Sequence, residues 1–179
     1  MSVDQESVSM MFFVAFAVLL RVATLIVSIR NERRLKSEGA VEFGAVNSAV
    51  LAAAHTLFYV AATIEGVWRG AAIDLAGIIG LAVYAFGMAM LFVVMRLLGR
   101  WWTVKLIIAP DHELVTHPLF RTVRHPNYFL NLLPELAGLG LALHAYWTLA
   151  FGLPCYLIIL AIRIREEERL MSARFPAYR

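Results

Sequence analysis

The sequence predicts an all-α fold: a polytopic membrane bundle of five transmembrane helices under a cap on its cytoplasmic face. Three observations lead there. Hydrophobic residues make up 61% of the 179 positions, with a mean hydropathy of +0.73. Charged residues make up only 16%, against about 25% in a soluble domain. A water-soluble fold of this length cannot hide so much apolar surface, so the class is integral membrane. Finally, fourteen of the sixteen Lys and Arg fall in three short segments that an odd number of spans puts on one side.

A spanning helix needs about 20 mostly apolar residues. Five stretches qualify: 8–29, 45–67, 71–97, 127–144 and 147–164. The first follows the acidic stretch "MSVDQESVSM" and reads as a retained helix, being too long for a signal-peptide core. The last two are joined only by "HAYW", a tight helical hairpin. "RNERRLK" (30–36), the loop from Arg96 to Arg124 and the tail from Arg163 to Arg179 hold the basic residues. The positive-inside rule makes that side cytoplasmic, with the N-terminus outside and the C-terminus inside. Residues 1–179 form a single domain. The last helix is expected to run past the membrane as "RIREEERLMSARF" and to share the cytoplasmic face with loop 98–126.

Several polar residues stand out against this background. Asn127, Asn131 and Glu135 are spaced i, i+4, i+8, on one face of the fourth span. At membrane depth such groups either glue helices together, through partners such as His55 or Arg21, or serve a site; the spacing leaves both open. Arg163 and Glu167 are also i, i+4, where the fifth span leaves the membrane. "EEE" at 166–168 puts three carboxylates at an anionic surface, which is unfavourable unless something cationic sits there. His112, His117 and His125 share one loop, but their spacing matches no common metal pattern, and no metal is expected. Cys155 lies in an apolar run, so there is no disulfide framework. Glu65 with Arg69 reads as a structural pair. Gly138 and Gly140 read as helix-packing residues.

"LGRWW…HELV…FRTVRHPNY…E…RIREEERL…F..Y", spread over residues 96–178, resembles the isoprenylcysteine carboxyl methyltransferase family, integral-membrane enzymes that use S-adenosylmethionine. "RHPNY" and "RIREEERL", each beside a membrane helix, carry the resemblance together. "RNERRLKSEGAVEFG" with "LAAAHTLF" is similar to a bacterial branch linked to type III polyketide synthases, whose members methylate hydroxyls of alkylpyrone- or alkylresorcinol-type lipids. That branch usually has a His-Tyr pair where "AVNSAV" stands here.

The resemblance implies a catalytic half over 96–178 and a cap that binds S-adenosylmethionine through His112, Glu113, Leu114, Val115, His125, Pro126, Asn127, Tyr128 and Glu167. It implies that Arg163 faces the acceptor. Phe120 stands where tyrosine is usual, His117 where glycine is usual, and Lys105 where some members have glutamine. Asn131 and Glu135 are further candidates to bind the acceptor, and Arg163, Glu167 and His125 the candidates for catalysis. The expected partners are a lipophilic or prenylated acceptor from the bilayer and membrane lipids, with no nucleic acid.

Methyl transfer from a sulfonium needs alignment at about 3–3.5 Å. A carboxylate acceptor needs only an anchor such as Arg163; a phenol, with a pKa near 10, needs a base or a nearby cation. His125 and Glu167 both qualify as that base. Two rival classes predict different sequences. A dinucleotide-using sterol reductase would carry more basic residues and a longer chain. A transporter with a proton path through Arg21, His55 and Glu135 would show an internal repeat.

Overall fold

The computed structural model describes residues 3–175; Tyr178 and Arg179 of the sequence motifs lie outside them. Helix α1 (Val3–Ser37) leads to a short strand β1 (Val41–Phe43), then α2 (Ala45–Arg69) and α3 (Leu75–Leu98). Strand β2 (Leu106–Ile108) and the one-turn helix α4 (Pro118–Thr122) follow, then α5 (Leu133–Ala142) and α6 (Leu153–Arg174).

Among the described residues four helices are long and apolar enough to cross a membrane: Val8–Ser37, Ala45–Arg69, Leu75–Trp101 and Thr148–Arg174. Their outward faces are apolar, with Phe12, Val46, Leu75 and Phe151 all well exposed. In α1 the buried stripe is Met10, Ala17, Thr24, Ser28 and Leu35. Small and hydroxylated side chains face the bundle and large aliphatic ones face out, as membrane packing favours.

The expected span 127–144 is built differently. It is a π turn, Asn127–Leu132, running into α5, Leu133–Ala142. At 1.5 Å per residue such a segment reaches about 24 Å, short of a hydrocarbon core of about 30 Å. Pro134 explains the π turn. It has no N–H, and its ring would clash with the carbonyl four residues back in a regular helix. The wider turn, with Leu133 N–H donating to the Tyr128 carbonyl, accommodates it. The same device precedes Pro154, where Leu153 N–H donates to the Thr148 carbonyl across the π turn Thr148–Gly152.

The short segment still joins the two ends of the bundle. It starts beside α6 at Glu168 and ends where His144 Nε2 lies 3.0 Å from Asp74 Oδ1. The hairpin to α6 turns through His144, whose φ is +54°. Glu65 holds the far side of that hairpin, accepting from Trp147 N–H, Thr148 N–H and Arg69 Nε, each at 2.8 Å. The structural reading of Glu65 and Arg69 is thus extended: the pair also ties α2 to the start of the last span. Against α3, α5 packs backbone to backbone. A Cβ at Gly138 would stand 2.7 Å from Tyr84 Cα, which only glycine permits.

At the opposite end the three basic segments meet. β1 and β2 pair antiparallel, Glu42 opposite Ile107. Lys36 Nζ reaches Glu42 at 2.6 Å and Lys105 Nζ reaches Glu32 at 2.8 Å. Arg174 Nη2 donates to the Pro110 carbonyl at 3.1 Å, and the His112 ring lies between Trp101 (4.4 Å) and Phe175 (5.7 Å). Loop 99–117 therefore lies over the end of α6.

Candidate functional site

The three adjacent carboxylates of α6 go to three different places. Glu166 turns to the start of α2: a Cβ at Gly44 would stand 2.6 Å from Glu166 Oε2, and Gly44 has φ +57°. A carboxylate there lies at the positive end of α2, which has no side-chain cap hydrogen bond. Glu168 lies 3.3 Å from His125 Nε2 and 3.6 Å from Arg124 Nη1. Glu167 accepts the Tyr128 hydroxyl at 2.6 Å and lies 3.7 Å from His125 Nδ1. For Glu167 and Glu168 the cationic partners are supplied by the chain itself, in His125 and Arg124.

His125 is 5% exposed, with a carboxylate on each ring nitrogen. Burial pushes its pKa down, but the carboxylates of Glu167 and Glu168 outweigh this and hold it above the usual value. Pro126 follows and starts the π turn, in which Tyr128 and Phe129 N–H both donate to the His125 carbonyl. The "RHPNY" segment is therefore a fixed bend, with its imidazole, its tyrosine hydroxyl and the Glu167 carboxylate locked to one another. Two N–H groups of that first turn, an apparent seat for an anion, are satisfied internally.

From Tyr128 the network continues to Arg163, one turn before Glu167 on α6. Arg163 is 2% exposed. Its Nε donates to the Tyr128 hydroxyl (3.3 Å), Nη1 to Ser48 Oγ (2.8 Å) and Nη2 to the Val104 carbonyl (3.4 Å). Three separate elements, the π turn, α2 and the loop after α3, fix one guanidinium. A buried charge so held is strongly oriented, since moving it would leave unpaired donors in a dry environment.

These groups border a cavity of about 600 Å³ under loop 99–117, within the range of small-molecule sites. All nine residues expected to hold the cofactor line it, and so does Arg163. The wall opposite α6 is β2 with His112, Glu113, Leu114 and Val115. Burial holds the His112 imidazole below its usual pKa, and its Nδ1 is buried without a partner among the described residues. Such an orphan in a cavity wall suits a ligand polar atom. Lys105, Phe120 and His117 also line the cavity; His117 caps α4, its Nδ1 accepting Leu119 N–H at 3.2 Å. The donor set fits S-adenosylmethionine: a carboxylate for an ammonium or ribose, Arg121 for a carboxylate, and an apolar and aromatic wall for an adenine.

Asn131 and Glu135 do not line this cavity. Asn131 donates to Asn127 Oδ1 at 3.2 Å, one turn below the cavity floor. Glu135, fully buried, pairs with Arg21 and accepts from the Tyr59 hydroxyl, with His55 Nε2 at 3.5 Å. The cause is depth: eight residues along the segment is about 12 Å, which carries Glu135 into the middle of the bundle. The polar groups that sequence reasoning missed are Ser48 on Arg163 and Ser28, whose Oγ accepts Val104 N–H at 2.8 Å. Neither is marked by sequence, because a serine in an apolar helix is ordinary membrane packing.

Residues 78–173 match the model of the isoprenylcysteine carboxyl methyltransferase (ICMT) family. The chain is 47% identical over 165 residues to an uncharacterized protein of Haemophilus influenzae, covering 91% of this chain and 96% of that one. It is 27% identical over 173 residues to YpbQ, an uncharacterized protein of Bacillus subtilis, covering 90% and 97%. No solved structure matches.

Proposed function

Since the chain belongs to the isoprenylcysteine carboxyl methyltransferase family and is a membrane methyltransferase, we propose that it uses S-adenosylmethionine to methylate an oxygen of a lipophilic acceptor drawn from the bilayer. The acceptor oxygen belongs to a carboxylate or to a phenolic or enolic hydroxyl. One observation carries the reading: Glu167 and Arg163, one helical turn apart, are joined through the Tyr128 hydroxyl at the wall of one cavity. The first side chain suits a polar cofactor from the water side. The second, buried where α6 enters the bundle, suits an oxygen arriving from the lipid side.

When bound, S-adenosylmethionine supplies an electrophilic methyl group on a sulfonium. The chain's residues do the rest by placement. Glu167 holds the ammonium or a ribose hydroxyl, and His112 to Val115 line the adenosine side. Arg163 orients the acceptor oxygen, neutralising a carboxylate or lowering the pKa of a hydroxyl. The dry, apolar floor around it excludes competing water. For a hydroxyl acceptor His125 and Glu167 are the two candidate bases; the carboxylates that face both nitrogens of His125 raise its pKa.

The test is direct. Detergent-purified protein is incubated with methyl-labelled S-adenosylmethionine and a lipid extract of its host. Label in a lipid product, identified by mass spectrometry as an O-methyl ester or ether, is the expected result. Label that never enters the lipid fraction would reject the reading.

A further inference from the structure

We infer that Ser48 is a positioning residue for acceptor recognition, acting through Arg163; this rests on the reading of Arg163 as the acceptor-facing cation. Ser48 is 5% exposed and sits in the first turn and a half of α2. Its hydroxyl takes the shortest of the three hydrogen bonds made by the guanidinium, 2.8 Å against 3.3 and 3.4 Å. The other two partners are shared or indirect. Tyr128 also serves Glu167 and so belongs to the cofactor side. The Val104 carbonyl lies on a loop that is itself pinned by Ser28 of α1. Ser48 is the side-chain partner that holds Arg163 without also bonding Glu167.

An arginine carries five N–H groups. With three committed, Arg163 keeps one on Nη1 and one on Nη2 free of partners among the described residues. Those two set how an acceptor oxygen is gripped, and Ser48 fixes which Nη1 proton is spent on the protein. Without the hydroxyl the guanidinium can turn about Cδ–Nε, and the fork loses its aim; a planar two-pronged donor is sensitive to such rotation in a way a point charge is not. Ser48 and Ser28 both lie outside the 78–173 segment that matches the family model. Of the three partners of Arg163, Tyr128 and Val104 lie within the matched segment, and Ser48 is the contribution of α2 from outside it.

The experiment compares wild type, Ser48→Ala and Ser48→Thr on one preparation each. S-adenosylmethionine affinity is read by titration, and transfer of labelled methyl into host lipid extract by initial rates at several extract concentrations. Ser48→Ala is expected to keep cofactor affinity within about twofold and to lose about tenfold or more in transfer efficiency. Ser48→Thr, which keeps a hydroxyl, restores most of it. Retained cofactor affinity shows that the variant is folded. A Ser48→Ala protein that transfers like wild type overturns the assignment alone. Equal loss in the Ala and Thr variants also overturns it, by showing that bulk rather than the hydroxyl matters. A wild type that binds cofactor and labels no lipid overturns the acceptor reading, and the assignment with it.

Discussion

At the scale of single residues, the two groups that matter most are held by different physics. Arg163 is a buried cation whose donors are largely committed, so its value lies in direction. Arg163→Ala is expected to leave cofactor affinity within a few-fold and to lower turnover by about ten- to a hundredfold, the worth of a hydrogen bond from a charged donor. Arg163→Lys rescues only in part. Cofactor titration and turnover on the same preparation check this; parallel loss of both moves Arg163 to the cofactor site. His125 is held by charge. Its folded pKa is raised above the unfolded value of about 6.5 by Glu167 and Glu168, so its contribution to stability is full below that value. The contribution is lost as pH rises through the folded pKa. Cofactor-free protein should therefore melt at lower temperature as pH climbs above about 6.5, and His125→Gln should flatten that slope. Identical pH profiles for variant and wild type would contradict the clamp.

At the scale of elements, the apolar runs and their basic flanks were legible because length and charge are linear properties of a sequence. Four of the helices fall where those runs predict, and α6 continues unbroken through "RIREEERLMSAR" to Arg174. What was not legible depends on backbone geometry. The fourth run, 127–144, holds a Leu-Pro step at 133–134 that reads as tolerable in a membrane helix. In three dimensions it imposes a π turn and shortens α5. The pairing of β1 with β2, two three-residue strands either side of two long helices, has no local signal at all. Glu135 was readable as glue or as site, and its partners place it between elements: it binds Arg21 of α1 and Tyr59 of α2 from α5. This pair ties α1 to α2 and α5 in the middle of the bundle, away from the polar ties at its basic end. Glu135→Ala should cost about 3–5 kcal/mol, as for a buried pair broken on one side. Replacing Arg21 and Glu135 together by Met and Leu should recover most of it. Unfolding in mixed micelles measures both, and a single variant as stable as wild type would show that the tie carries nothing.

At the scale of the whole molecule, the polar chemistry sits at one end, where "RNERRLK", loop 96–124 and the tail of α6 converge. The sequence motifs marked the wall of the cavity because "HELV", "RHPNY" and "EEE" concentrate polar groups beside apolar runs. They did not mark Ser48 or Ser28, which become visible only once α2 closes on Arg163 and α1 on Val104. The basic end is expected to face the cytoplasm. With Cys155 replaced by serine, Ser37→Cys and Arg121→Cys should resist an impermeant thiol reagent in intact cells, and Gly70→Cys should react. The reverse pattern would invert the orientation. The central claim is that the cavity beneath loop 99–117 is the cofactor site, with Glu167 as its anchor. Titrating purified protein with S-adenosylmethionine tests it. Wild type should bind and Glu167→Gln should bind at least tenfold more weakly, about the worth of a charged hydrogen bond. Glu65→Gln, which breaks the hairpin tie at the opposite end, should lower the melting temperature without changing affinity. Undiminished binding by Glu167→Gln, or loss of binding in folded Glu65→Gln, would contradict it.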